Sequence, residues 1–335
     1  MDVQVAVVGA GSWGTTVAAL ASRNASTRLW CREADLAAAI TRDHMNPVYL
    51  EGFTLPSTLV ATPELGEAVS DADIVVMAVP SHAFREILEA VAPLVGAGAH
   101  VVSVAKGLER GTGMRMTEVV ADVVPGHLAG ALTGPNLAKE ILAGDAAASV
   151  IAMSDDAVAA VVQQVFASPR FKVYTNHDVV GCELGGALKN VYAIASGMAD
   201  GLGTGDNTRA AVITRSLAEL TRLGVAMGGE PATFAGLAGL GDLIATCTSS
   251  QSRNRHVGEE LGRGRSVSEV VDAMNQVAEG VETAEVVVRL AAAHDVAVPI
   301  AAMVSAVISG EMSAAEAYRG LLRPARGHES DPENW

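Results

Sequence analysis

Six residues near the N-terminus constrain this chain more than any others. Gly9-Ala10-Gly11-Ser12-Trp13-Gly14 is a G-x-G-x-x-G run between an apolar, β-rich stretch, Val3–Val8, and a helical pattern, Thr15–Arg23. The first glycine allows a tight turn. The second lets a pyrophosphate approach the backbone, and the third lets helix and strand pack closely. The start of the helix adds unpaired amide donors and the positive end of its dipole. A glycine turn alone says little. In register with a strand before it and a helix after it, it predicts a dinucleotide-binding βαβ unit.

Cofactor flavour is set at the end of the second strand, roughly twenty residues on, where an acid suits NAD and an arginine suits NADP. The second strand, Thr27–Arg32, ends Trp30-Cys31-Arg32-Glu33. Glu33 argues for NAD and Arg32 for NADP. Arg32 comes first, which tips the reading towards NADP, although a solvated surface arginine would look the same.

The rest of the first half keeps the same rhythm. Strand patterns recur at Asp73–Val79, His100–Ala105, Leu128–Thr133, Ser149–Met153 and Phe171–Tyr174. Helical patterns run from Ser81 or His82 to Val91, from a cap at Thr112 to Val123, and from Asp155 or Asp156 to Ala167. Alternation of this kind predicts an α/β, doubly wound, largely parallel sheet. From about Val179 the pattern turns helical: Cys182–Asp200, Thr208–Met227, Ser252–Gly262, Val267–Met274, Thr283–His294, Ile300–Ile308 and Ala314–Leu321. The expected domains are therefore residues 1–177, a dinucleotide-binding domain, and 178–323, an all-helical substrate and catalytic domain. Residues 324–335, charged and proline-containing, are expected to be a flexible tail.

Composition narrows the function. Asp and Glu number 38 against 23 Lys and Arg, a net charge of −15, which disfavours nucleic acid and anionic membranes as partners. No apolar run approaches the about 18 residues of a spanning helix; the longest, Val296–Ile308, is broken by Pro299. With a strand pattern beginning at Val3, no signal sequence is expected. Cys31, Cys182 and Cys247 lie far apart, with no CxxC pair and no HExxH. That predicts a reduced, cytoplasmic protein without a metal site.

Of the 23 basic residues only four are lysines: Lys106, Lys139, Lys172 and Lys189. Arginine cannot give up its proton in a protein, so each lysine raises a chemical question. Lys106 follows the His100–Ala105 strand, on the edge where doubly wound sheets bind ligands. Thr133-Gly134-Pro135-Asn136 ends another strand, with a helix expected to open at Asn136; together the two turns read as one pocket rim. Lys189 sits among small and apolar neighbours in Leu184-Gly185-Gly186-Ala187-Leu188-Lys189-Asn190. Buried, it would lose hydration, its pKa would fall, and it would suit a general base on an alcohol; a lysine snorkelling to water fits the spacing equally well. Asp242, in Gly239-Leu240-Gly241-Asp242-Leu243, is an N-cap for a helix from Leu243, a partner for a buried lysine, or both. In Ser249-Ser250-Gln251-Ser252-Arg253-Asn254-Arg255, two guanidinium groups beside Ser and Asn donors suit a phosphate monoester. None of the eight histidines stands in a nucleophile motif.

Taken together, these segments resemble the bacterial NAD(P)-dependent glycerol-3-phosphate dehydrogenase family. The matching motifs are GAGSWGT (9–15), VPSH (79–82), KGLE (106–109), TGPNLAKE (133–140), LGGALKN (184–190), GLAGLGDL (236–243), SQSRNR (250–255) and VAEG (277–280), in the family's order over nearly the whole chain. The resemblance implies an N-terminal Rossmann domain and a C-terminal domain like that of 6-phosphogluconate dehydrogenase. It implies interconversion of sn-glycerol 3-phosphate and dihydroxyacetone phosphate with NAD or NADP, running towards glycerol 3-phosphate for phospholipid synthesis, in a homodimer. Lys189 would exchange the C2 hydroxyl proton, helped by Asp242. Substrate contacts would come from Lys106, Gly134, Asn136, Lys189, Asp242, Ser252, Arg253 and Asn254, with Asn136 standing where the family more often has Ser or Thr. Cofactor contacts would come from Gly9, Gly11, Ser12, Trp13, Gly14, Arg32, Lys106, Ala138, Arg253, Val277 and Glu279. Two other readings compete. One is another β-hydroxyacid-type dehydrogenase, although such enzymes usually carry Lys-x-x-x-Asn, and here Asn190 follows Lys189 directly while Ala193 takes the fourth place. The other is a silent dinucleotide sensor.

Overall fold

The computed structural model describes residues 3–274 and 278–321. Val277 and the tail expected over 324–335 lie outside the described residues. The chain divides into two compact units: the segments Met1–Ala105 and Met114–Val179 form one, and Lys106–Gly113 with the chain from Val180 onward forms the other.

The first unit is built on one sheet. Its strands are β1 (Gln4–Val8), β2 (Ser26–Trp30), β3 (Val60–Thr62), β4 (Ile74–Met77), β5 (His100–Ser103), β6 (Ala129–Thr133), β7 (Ala147–Met153) and β8 (Phe171–Asn176). Their order across the sheet is β3-β2-β1-β4-β5-β6-β7-β8, parallel throughout except between β6 and β7. Alternate residues of β1 feed opposite cores: Val5 and Val7 pack with the helices Ser12–Ala21 and Asp156–Phe166, whereas Ala6 and Val8 pack with Ser81–Val91 and Met116–Val123. A strand covered on both faces must be apolar at every position, which is why these runs are continuous rather than alternating. The strand order reverses direction between β1 and β4, so the crevice off their carboxyl ends is where such a sheet takes its ligand.

Local details depart from expectation in several places. The edge strand β3 has three residues, only one of them buried, and so leaves no hydrophobic pattern to read. Thr112 does not cap a helix: its hydroxyl donates to Glu109, and the helix starts at Met116 behind a capping box of Arg115 and Glu118. The helix expected from Asn136 starts at Ala138. The helix expected from Thr283 begins earlier, at Glu279.

The second unit is helical. Its centre is the helix Val179–Gly201, buried at every residue from Gly181 to Ala199; a helix covered on all sides cannot be amphipathic. It crosses Arg253–Gly262 on glycines. A β-carbon on Gly197 would lie 2.0 Å from the Arg255 carbonyl oxygen, and one on Gly258 2.0 Å from that of Ile194. No side chain fits between two backbones so close, so larger residues there would push the helices apart. Among the described residues no helix is long and apolar enough to cross a membrane.

Candidate active site

In the first unit the glycine turn has the form its sequence requires. Gly9 adopts φ +115°, and a β-carbon there would sit 2.7 Å from the Ala78 carbonyl oxygen. One on Gly14 would sit 2.0 Å from the Gly9 oxygen, whereas one on Gly11 would meet nothing within 4 Å. The helix Ser12–Ala21 starts without a side-chain cap, so its first N–H groups are available to an anion. Trp13 Nε1 is buried without a hydrogen-bond partner among the described residues. The turn thus fits a dinucleotide pyrophosphate. Just beyond β2, Arg32 Nη2 lies 3.0 Å from Glu33 Oε1, with both side chains largely exposed. Such a pair contributes little stability, and each partner remains accessible from solvent.

Gly134, after β6, has φ +139° and abuts Ser149. Asn136 Nδ2 donates to Ser149 Oγ at 3.0 Å, while its Oδ1 is buried without a partner among the described residues. Ala138 opens the short helix that follows. β5 and β6 are neighbours and parallel, so their carboxyl ends lie on the same edge of the sheet.

The second unit holds a charged cluster in its interior. Lys189 is 4 % exposed and Asp242 2 %. Lys189 Nζ donates to Asp242 Oδ1 at 2.5 Å and to Thr246 Oγ1 at 2.5 Å. Lys106 Nζ donates to the other carboxylate oxygen, Oδ2, at 2.7 Å. Two lysines 83 residues apart in the chain (189 − 106) therefore share one carboxylate. Burial pulls Lys189 down to about 8; the Asp242 carboxylate opposes this, and the Lys106 ammonium adds to it. The snorkelling alternative for Lys189 is thereby excluded. So is the N-cap for Asp242, which is the first residue of the helix Asp242–Thr248 and spends its carboxylate on the lysines.

Local sequence explains the meeting. A β-carbon on Gly185 would lie 2.5 Å from the Ala238 carbonyl oxygen, so only glycine lets the turn Leu237–Gly241 press on the long helix. Lys189 stands one turn beyond Gly185 on the same face, beside Asp242. Thr246, one turn after Asp242, donates to the Asp242 carbonyl oxygen at 2.6 Å and accepts from Lys189. Its role is not apparent from the sequence, although its spacing of four from Asp242 on a helix is the signal that would have pointed to it.

A chain of amides supports the cluster. Gly280 N donates to Asn254 Oδ1 (2.9 Å), Asn254 Nδ2 to Asn190 Oδ1 (2.9 Å), and Asn190 Nδ2 to the Lys106 carbonyl oxygen (2.7 Å). This chain is one reason residues 106–113 cluster with the helices.

The two arginines expected to bind phosphate have separate fates. Arg255 is tied to Asp200 at 2.7 Å and to Glu259 at 3.4 Å, and is removed from the phosphate reading. Ser252 caps the helix Arg253–Gly262 by accepting from Arg255 N. Arg253 is exposed, yet surrounded by enough protein that desolvation lowers its pKa, with Glu279 opposing. A guanidinium both accessible and crowded is suited to an anionic ligand. Lys139 and Lys172, by contrast, lie on the surface.

Residues 4–159 match the family model of the NAD-dependent glycerol-3-phosphate dehydrogenase N-terminus, and residues 178–319 that of its C-terminus. The chain is 56% identical to NAD(P)+ glycerol-3-phosphate dehydrogenase 2 of Sphingopyxis alaskensis over 332 residues, 99% of this chain and 100% of that one. It is 52% identical over 329 residues to the NAD(P)+ glycerol-3-phosphate dehydrogenase of Mycobacterium avium, covering 98% and 96%. The crystal structure of glycerol-3-phosphate dehydrogenase from Coxiella burnetii superposes with a TM-score of 0.91 at 36% identity, covering 96% of this chain and 99% of that one.

Proposed function

Because the chain belongs to the NAD-dependent glycerol-3-phosphate dehydrogenase family, we propose that residues 1–177 bind mainly the cofactor and residues 178–323 mainly the substrate, with Lys189 as the proton-transfer group. The enzyme interconverts sn-glycerol 3-phosphate and dihydroxyacetone phosphate with NAD(P)(H). Bound NAD(P)(H) supplies or accepts the hydride exchanged with substrate C2.

The observation that carries the proposal is one buried carboxylate, Asp242, shared by Lys189 and Lys106, with Lys189 pulled down to about 8. In the oxidation, neutral Lys189 takes the C2 hydroxyl proton; in the reduction its ammonium returns it. Asp242 and Thr246 hold Nζ in place, which removes the entropic cost of finding it. Lys106 offers a second cation to the substrate oxygens, and Arg253, with Ser252 and Asn254 beside it, takes the phosphate. Gly134 and Asn136 complete the proposed substrate set. Gly9, Gly11, Ser12, Trp13, Gly14, Arg32, Lys106, Ala138, Arg253, Val277 and Glu279 are the proposed cofactor contacts.

The test is absorbance loss of NADH, and separately of NADPH, with dihydroxyacetone phosphate across about pH 6 to about pH 10. Reduction needs the ammonium, so its kcat/KM should fall above pH about 8. Oxidation needs the neutral amine, so its kcat/KM should rise with pH and level off above the same point. Profiles flat through that range would remove Lys189 from the role, and binding of NAD(P)H without any turnover would favour a sensor.

Arg253→Ala should raise KM for dihydroxyacetone phosphate by roughly ten- to a hundredfold, the worth of a charge-assisted hydrogen bond, with the melting temperature unchanged. Arg255→Ala should do the reverse, lowering the melting temperature through loss of its partner Asp200. Equal effects of the two on KM would contradict the assignment. A homodimer in the cytoplasm completes the proposal. The buried thiols Cys31, Cys182 and Cys247 support a reducing compartment, and light scattering coupled to gel filtration tests the dimer.

A further inference from the structure

Asn46 lies 36 residues beyond Ala10 in the chain, outside every motif of the glycine turn, yet it is wholly buried against that turn. The π-helical turn Ala39–Asp43 closes on His44, whose left-handed φ of 52° redirects the chain. Asn46 follows at once. Its Nδ2 donates to the Ala10 carbonyl oxygen at 3.0 Å and to Thr15 Oγ1 at 2.8 Å, and its Oδ1 accepts from Tyr49 N at 3.0 Å. Thr15 Oγ1 itself donates to the same Ala10 oxygen at 3.1 Å. A second staple joins the same stretch to the turn, from Ser12 Oγ to the Tyr49 carbonyl oxygen at 3.2 Å.

Peptide geometry gives these bonds a consequence. In a trans peptide the C=O of one residue and the N–H of the next point in opposite directions, and the described chain has no cis peptide. Holding the Ala10 carbonyl inward therefore turns the Gly11 N–H outward. Gly11 is also the turn residue whose added β-carbon would meet nothing within 4 Å. An outward amide at an open glycine is the donor a pyrophosphate oxygen needs.

We propose that Asn46 is a positioning residue for the cofactor: by locking the Ala10 carbonyl inward it presents the Gly11 N–H to the pyrophosphate. The inference rests on the reading of the glycine turn as the NAD(P)(H) site. Glycine turns are intrinsically soft, since glycine has the widest backbone freedom, and a fixed amide binds better than one that must be ordered on binding. Asn46 supplies that rigidity from outside the motif.

The experiment is fluorescence titration of the full chain with NADH, and competition by ADP, which carries the pyrophosphate without the nicotinamide. Asn46→Ala should weaken both by about tenfold or more, while kcat at saturating NADH and KM for dihydroxyacetone phosphate stay within twofold of the parent. Thr15→Val, close to isosteric, keeps the fold should Asn46→Ala lose it. Thr15→Val removes the hydroxyl that bonds both Asn46 and Ala10, and should weaken NADH binding several-fold, with Thr15→Ser restoring it. Binding unchanged in a folded Asn46→Ala or in Thr15→Val overturns the inference, as does a fall in saturated kcat that matches the loss of affinity. If the parent chain itself fails to bind NADH, the cofactor reading fails instead.

Discussion

Replacing Lys189 by methionine should lower kcat for dihydroxyacetone phosphate reduction by about 10²–10⁴-fold, the contribution of a positioned general acid, while NADH binds as before. Methionine keeps much of the buried stem, so the change isolates the ammonium. The site should survive it: Asp242 retains Lys106 at 2.7 Å, so no buried charge is left alone. Lys189→Arg is the sharper variant. It keeps the positive charge beside Asp242 but cannot release a proton at working pH, so it should be as slow as methionine in the oxidation. If arginine sustained oxidation at a rate near the parent's, the residue would be an electrostatic anchor only. NADH fluorescence and the absorbance assay, run on the same preparations, separate loss of chemistry from loss of binding.

Asp242→Asn should have a different signature, affecting stability and rate together. It leaves Lys189 and Lys106 facing a neutral amide. Removing one partner of a buried ion pair costs about 3–5 kcal/mol, and Lys106, partly open to solvent, keeps the loss towards the lower end. For a helical unit of this size that corresponds to a melting transition lower by on the order of 10 °C. The sign with pH follows from the charges. Without Asp242 the force that raises the Lys189 pKa is gone, so the break in the kcat/KM profiles should move below about 8. As pH rises past that break, Lys189 becomes neutral and the destabilisation should shrink. Calorimetry and the pH profile give two independent readings. A variant that melts with the parent and keeps its profile would remove Asp242 from the site.

The glycine turn was readable in the sequence because its signature is local. Strand, three glycines and helix follow one another within residues 3–23, although the atom that Gly9 must clear, the Ala78 carbonyl oxygen, comes from a distant segment. The buried strands were readable for a related reason: coverage on both faces demands an apolar residue at every step. The chain around Thr112 was misread because its partner, Glu109, competes with the capping role that threonine usually signals.

Sequence alone determined a dinucleotide-binding sheet followed by a helical half, and marked lysine as the rare base in an arginine-rich chain. It could not say which lysines meet. Lys106 reaches Asp242 across 136 residues and Lys189 across 53, and no local pattern encodes pairs so far apart. Tertiary structure decided that they share one carboxylate, that Asp242 is a partner rather than a cap, and that Arg253 stays open while Arg255 is bound to Asp200. It also brought Asn46 under the glycine turn. The physical reason is the same in each case. A side chain's hydrogen-bond partner and its hydration depend on what other segments press against it, and here glycine contacts such as Gly185 against Ala238 set those approaches. The lowered pKa that suits Lys189 to its proposed role is a property of that burial, not of lysine.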